Sequence, residues 1–245
     1  MSLRSWPQVI AALVIAIAAW AIFARQDPAG LAPRPQEERP TLALLTSLPL
    51  IFGESFSLDS GGSPALTRIE QRYNVLPIGV ADAGSLAGQR FLLMAHPRAQ
   101  PAAALVDLDH WVRGGGRLLL LADPRLAWDS SRPIGDALRP PPGFADTGLL
   151  AHWGLVLDGA QADGPALSTN GEVTIETVAP GRLRSSGSCL LAGEGFVAHC
   201  RIGKGVVTVI ADADFLNVGS SEGRAGPVTR NLDLLLDELN RLEQR

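Results

Sequence analysis

A chain of 245 residues with 46% hydrophobic and 19% charged side chains has the composition of a globular protein rather than a disordered one. Its formal net charge is −4 and Lys204 is the only lysine, so it offers no basic face and nucleic acid is excluded as a partner. Aromatic side chains make up 5%, which argues against a stacking platform for sugars or bases.

From the amino terminus, residues 9–24 (VIAALVIAIAAWAIFA) carry no charge and no strong polar group. Extended back to Trp6, the segment spans about 28 Å as a helix, close to the ~30 Å of a hydrocarbon core. Pro7 suits a first helical turn, and Trp6 and Trp20 suit the two interfaces. Residues 1–25 therefore read as an N-terminal transmembrane helix that anchors the chain to a membrane in a single pass. Ala19-Trp20-Ala21 also has the small-x-small form of a signal-peptide cleavage site, so anchor and cleaved signal both stand. Either route exports the remainder of the chain, and Arg4 before the segment agrees with the cytoplasmic excess of positive charge. The expected location is the inner membrane, with the soluble part on the periplasmic side.

Residues 26–40 (QDPAGLAPRPQEERP) hold four prolines and read as a semi-rigid linker reaching ~45 Å, at about 3.1 Å per residue. A boundary near Thr41 leaves residues 41–245 as a single extracytoplasmic domain, long enough for one well-buried core.

Within it, strand and helix signals alternate. Residues 41–48 (TLALLTSL) form an apolar run suited to a strand buried on both faces. A helix is expected over 64–71, a strand over 73–78 and another over 91–95 (FLLMA). Residues 101–113 give the clearest helix, with Pro101 at its start, Gly114 past its end and one stripe of Ala104, Leu105, Leu108, Trp111 and Val112. Strands come next at 117–122 (RLLLLA) and 206–211 (VVTVIA), and a closing helix at 229–242 carries Leu232, Leu235, Leu236, Leu239 and Leu242 on one side. The pattern predicts an α/β domain with a mostly parallel sheet and helices on both faces. Residues 189–201 break it and read as a small hairpin insertion, CLLAG-EG-FVAHC, turning at Glu194-Gly195. Counting outward from that turn sets Cys189 opposite Cys200, at a spacing near that of a disulfide. The alternatives are a disulfide, favoured by export, and two small buried hydrophobes.

In an open parallel sheet, ligands bind outside the carboxyl ends of the strands. The residues there are Thr46 and Ser47, His96, Asp123, and Asp212 with Asp214, a candidate ligand crevice. Asp123 and Asp212 are equally suited to capping the turns that come after them. A divalent cation on Asp123, Asp212 and Asp214 is chemically reasonable, since hard cations take several oxygens. No EF-hand spacing or other metal signature accompanies them, so neither a metal nor a cofactor is assigned. No catalytic residue is assigned either: no G-x-S-x-G follows directly on an apolar strand as a strand–turn–helix elbow, and the cysteines lie in the hairpin. Gly114-Gly115-Gly116 and Gly203-Lys204-Gly205 precede strands, which makes them turns rather than phosphate loops. Residues 124–147 would lie over the crevice as a lid, a partner surface or solvated padding.

Three stretches, HWVRGGGRLLLLADP (110–124), GKGVVTVIADADFLNV (203–218) and NLDLLLDEL (231–239), resemble a bacterial domain seen in GldG-like proteins associated with ABC transporters. The resemblance implies a class I glutamine-amidotransferase-like, flavodoxin-like fold without the catalytic Cys-His pair. It also implies an envelope-associated accessory or binding role with envelope or ABC-transporter proteins as partners. Asp123, Asp212, Asp214 and Asn231 match its motifs. The leading expectation is a membrane-anchored, non-catalytic domain that binds a ligand or partner. The alternative is a hydrolase using Asp123, His96 and Asp212.

Overall fold

Apolar runs bounded by turn residues become the strands that carry the fold. In the computed structural model, residues 30–52, 62–170, 173–217 and 225–245 are described, with side chains of the last stretch from Arg230 onward. A compact unit runs from Pro33 to Arg245. Its strands are β1 (Thr41–Thr46), β2 (Asn74–Pro77), β3 (Phe91–Ala95), β4 (Arg117–Leu121), β5 (Leu155–Asp158), β6 (Pro165–Asn170), β7 (Val173–Val178), β8 (Arg182–Ser185), β9 (Leu190–Ala192), β10 (Val197–Ile202) and β11 (Gly205–Ile210). The helices are α1 (Pro64–Glu70), α2 (Ala83–Leu86), α3 (Ala102–Gly114), α4 (Leu149–His152) and α5 (Ala225–Glu243).

The fold is mixed α/β around a mostly parallel sheet of order β2-β1-β3-β4-β11-β10-β9. The five strands from β2 to β11 run parallel, while β10 is antiparallel to both β11 and β9. β3 is buried at every position and β4 at all but its first, which is why both read as unbroken apolar runs. The two faces are packed by different helices. Leu108 and Val112 of α3 join Ala43, Leu92, Leu118 and Val207 in one cluster. α5 packs on β4 and β11 from the opposite face, where its Glu238 meets His199, the partner of Thr208 across the β10–β11 ladder. Gly205 lets α3 and β11 touch backbone to backbone, since a Cβ there would lie 2.0 Å from the Val112 carbonyl oxygen.

Three features differ from expectation. Residues 33–40 pack on the domain instead of hanging free: the Arg34 amide donates to Gln71 O at 2.8 Å, and the Arg39 guanidinium to Glu70 O at 2.6 Å. Residues 148–188 contain two antiparallel ribbons, β5–β8 and β6–β7, that sequence periodicity does not show. The hairpin is the edge of the main sheet rather than an insertion beside it, because a tight turn at Gly203-Lys204 returns β10 directly onto β11. Its own turn falls at Glu194-Gly195, both at positive φ, with Phe196 N donating to Gly193 O. Ala192 pairs with Val197, the register that sets Cys189 facing Cys200, and the two are joined in a disulfide. The apolar segment at residues 9–24 lies outside the described residues. Among the described residues, no helix is long and apolar enough to cross a membrane.

Candidate functional site at the strand ends

Four of the six strand-end residues come together. Asp123 comes after β4 and Asp212 and Asp214 after β11, adjacent parallel strands that end side by side. One oxygen from each of the three carboxyl groups lies within 4.8 Å of the others, and all three residues are buried. His96 comes after β3; its amide donates to Leu121 O at 3.0 Å, which sets it next to Asp123. Thr46 and Ser47, after β1, are engaged elsewhere. The Thr46 hydroxyl donates to Ala95 O at 2.9 Å and accepts from Leu48 N, while the Ser47 hydroxyl donates to His96 O at 2.5 Å. Both tie β1 to the β3 end rather than facing the carboxylates.

Each carboxylate is partly satisfied by backbone. Asp123 accepts from Arg125 N at 2.8 Å through one oxygen and from Ala213 N at 3.0 Å through the other. Asp212, one residue before the cap of the one-turn helix Asp214–Leu216, accepts from Phe215 N within it at 3.0 Å. Asp214 accepts from Ala127 N at 2.8 Å. That leaves Asp212 Oδ2, Asp214 Oδ1 and His96 Nδ1 buried without a hydrogen bond of good geometry. Burial raises the pKa of Asp123; burial, then the charge of Asp123, drives Asp212 well above the usual carboxylate range. Burial also lifts Asp214 to about 7 and lowers His96, favouring a neutral ring. Among the described residues, no lysine or arginine side chain forms an ion pair with any of the three aspartates. The nearby Arg125 guanidinium pairs instead with Asp163.

Residues 124–147 close the crevice from above. Phe144 N donates to Asp123 O at 2.6 Å, Leu126 N to Pro142 O at 2.9 Å, and His96 Nε2 bonds Pro141 O at 2.9 Å. Because a carbonyl only accepts, His96 carries its proton on Nε2. His96 itself sits at φ +46°, a left-handed conformation costly for a side chain of its size and held here by the bonds to Leu121 and Pro141.

Sequence reasoning missed Thr177. This β7 hydroxyl is buried, has no hydrogen-bond partner of good geometry, and lies beside Asp212, where it counters the rise in that carboxyl's pKa. The alternation in VTIETV, which turns Ile175 and Thr177 inward and Glu176 outward, was the one signal for it. Asn231, in contrast, holds the site from behind. It accepts from Glu176 N at 3.1 Å and donates to Glu176 O and Phe215 O at 2.8 and 3.1 Å, joining α5 to β7 and to the turn after Asp212.

No family model and no curated protein matches the chain. Among solved structures, it is similar in fold to the cytoplasmic protein STM1381 from Salmonella typhimurium LT2, at 12% identity and a TM-score of 0.52, over 82% of this chain and 99% of that one. The cytoplasmic protein STM3548 from Salmonella typhimurium matches at 9% identity and a TM-score of 0.51, over 82% and 98%. An exo-β-1,4-mannosidase from Opitutaceae bacterium strain TAV5 matches at 14% identity and a TM-score of 0.47, over 85% of this chain. The chain spans 36% of that mannosidase and 32% of a β-galactosidase from Rahnella sp. R3. At these identities the likeness is one of fold.

Proposed function

We propose that this chain is an extracytoplasmic, non-catalytic domain, anchored at the inner membrane by residues 9–24, that binds a protein partner as an accessory to an ABC-type transport system. The strand order β2-β1-β3-β4-β11 matches the 2-1-3-4-5 order of flavodoxin-like sheets, in keeping with the resemblance in the glycine–strand–aspartate motifs. The Cys189–Cys200 disulfide suits an oxidising compartment and so supports export.

The observation that carries the binding reading is the segment over the strand ends. It is fixed to Asp123, His96 and Asp214 from below, yet turns Ile134 (94% exposed) and Leu138 (66% exposed) to solvent. Beside them lies a concavity of about 410 Å³ lined by Arg98, Asp136, Arg139 and Pro140–Pro142. A firmly held loop presenting large apolar side chains suits a partner surface. A hydrolase built on Asp123, His96 and Asp212 is less favoured, because Asp123 gives both oxygens to backbone amides and His96 Nε2 is bonded to the covering loop.

The test is recovery of the full chain from cross-linked, detergent-solubilised membranes. We expect an ABC-type permease or ATPase to accompany the wild type and to be lost from an Ile134→Asp/Leu138→Asp variant of unchanged melting temperature. Equal recovery with both proteins, or no such component with either, overturns the reading.

A further inference from the structure

We propose that Asp123, Asp212 and Asp214, completed by the Thr177 hydroxyl, bind a hard divalent cation of the calcium class. This goes beyond the partner surface and does not depend on it.

The geometry of the acidic groups is the first support. Two oxygens on opposite sides of a calcium ion, each 2.3–2.6 Å away, lie about 4.6–5.2 Å apart, whereas around magnesium they lie about 4.0–4.2 Å apart. One oxygen from each aspartate falls within 4.8 Å of the other two, so all three fit one calcium coordination sphere. The donors are oxygens, and both cysteines are committed to the disulfide, which disfavours soft metals.

Unspent bonding capacity is the second, independent support. Asp212 Oδ2 and Asp214 Oδ1 are buried with no hydrogen bond of good geometry. Thr177 Oγ1 comes from a different strand, is buried, makes no hydrogen bond of good geometry and lies against Asp212. Buried polar groups in native folds are almost always satisfied, so orphans gathered in one acidic cluster indicate a missing partner. Charge says which kind. Three adjacent buried carboxylates are strongly unfavourable without a cation, and among the described residues no arginine or lysine supplies one.

The full chain in detergent, stripped with EDTA and dialysed, would be titrated calorimetrically with CaCl2 and with MgCl2 at pH 7.5 and melted in parallel. We expect one calcium per chain, weaker magnesium binding, and a melting temperature about 5–10 °C higher at calcium 100 times Kd. Thr177→Val should weaken calcium binding about 10-fold or more, and Asp212→Asn should abolish the calcium-dependent rise. Asp163→Asn, at a carboxylate 88% exposed outside the cluster, should behave as wild type. No uptake by the wild type overturns the proposal, as does calcium binding in Thr177→Val equal to that of the wild type. The second result decides even if Asp212→Asn does not fold.

Discussion

The two ends of the central sheet handle buried charge in opposite ways. At the amino ends of the strands, Glu243 in the last turn of α5 takes a two-pronged ion pair from Arg34 at 3.0 and 2.9 Å and a hydrogen bond from the Tyr73 hydroxyl. Its backbone carbonyl accepts from Arg117 at 2.7 Å, a cation at the negative end of the helix dipole. At the carboxyl ends, Asp123, Asp212 and Asp214 are deeper, closer together and without a basic partner among the described residues. A charge answered within the chain stabilises the fold; one left unanswered costs stability and persists where something outside the chain is to answer it.

The largest expected consequence is a pH dependence confined to the carboxyl end. In metal-stripped protein, Asp214 titrates near 7 when folded and near 3.8 when unfolded, and Asp123 and Asp212 are raised too. Between about pH 4 and 7 the folded state then holds more protons than the unfolded one, so stability falls as pH rises through that window. The slope reaches about 1.4 kcal/mol per pH unit for each group fully engaged. Melting temperatures from pH 4.5 to 8 should fall in EDTA, and the fall should shrink in Asp214→Asn but not in Glu243→Gln. A flat profile in EDTA would mean that the carboxyl end is not charge-frustrated.

Next in size is Asn231→Ala. It strands three backbone groups, the buried Phe215 O and the partly buried Glu176 N and O, and should cost about 2 kcal/mol in urea denaturation. Because Asn231 holds β7 against the turn after Asp212, the same variant should also lose calcium-dependent stabilisation. A loss below about 1 kcal/mol would show that these groups find water.

Burial decides how much of the fold and the site was legible in the sequence. FLLMA and LLLL are dry on both faces, so composition alone marks them, and Pro101 opens α3 as expected, while the helix runs one residue further and is capped by Gly115 rather than Gly114. The hairpin register came from its turn chemistry. The ribbons β5–β8 and β6–β7 are two-stranded and half-exposed; PALSTN pairs with VTIETV through the backbone and carries no unbroken apolar run. Asp123, Asp212, Asp214 and His96 were readable because a parallel sheet gathers its strand ends. Thr177 was not, since it reaches the cluster from one of those ribbons. Nor does any sequence pattern reveal that Thr46 and Ser47 spend their hydroxyls on neighbouring carbonyls.

At the amino end, Glu243→Gln keeps the shape and removes the charge. With Arg34 and Glu243 side chains 20% and 18% exposed, the loss should be about 1–2 kcal/mol and should diminish in high salt. The sign is what matters for the comparison, because the equivalent change at the other end should reverse it.

Asp212→Asn is the smallest effect and the sharpest. Like Glu243→Gln it exchanges a carboxylate for an amide of the same size, at a site that keeps its oxygen for the bond from Phe215 N. Here the removed charge faces Asp123 and Asp214 rather than an arginine, so in EDTA at pH 7.5 the variant should gain up to about 1 kcal/mol over wild type. With saturating calcium the order should invert, because only the wild type gains from the ion. Two isosteric substitutions at opposite ends of one sheet would then shift stability in opposite directions. A loss in EDTA of the size seen for Glu243→Gln would mean that Asp212 is a structural hydrogen-bond acceptor whose charge the fold already accommodates.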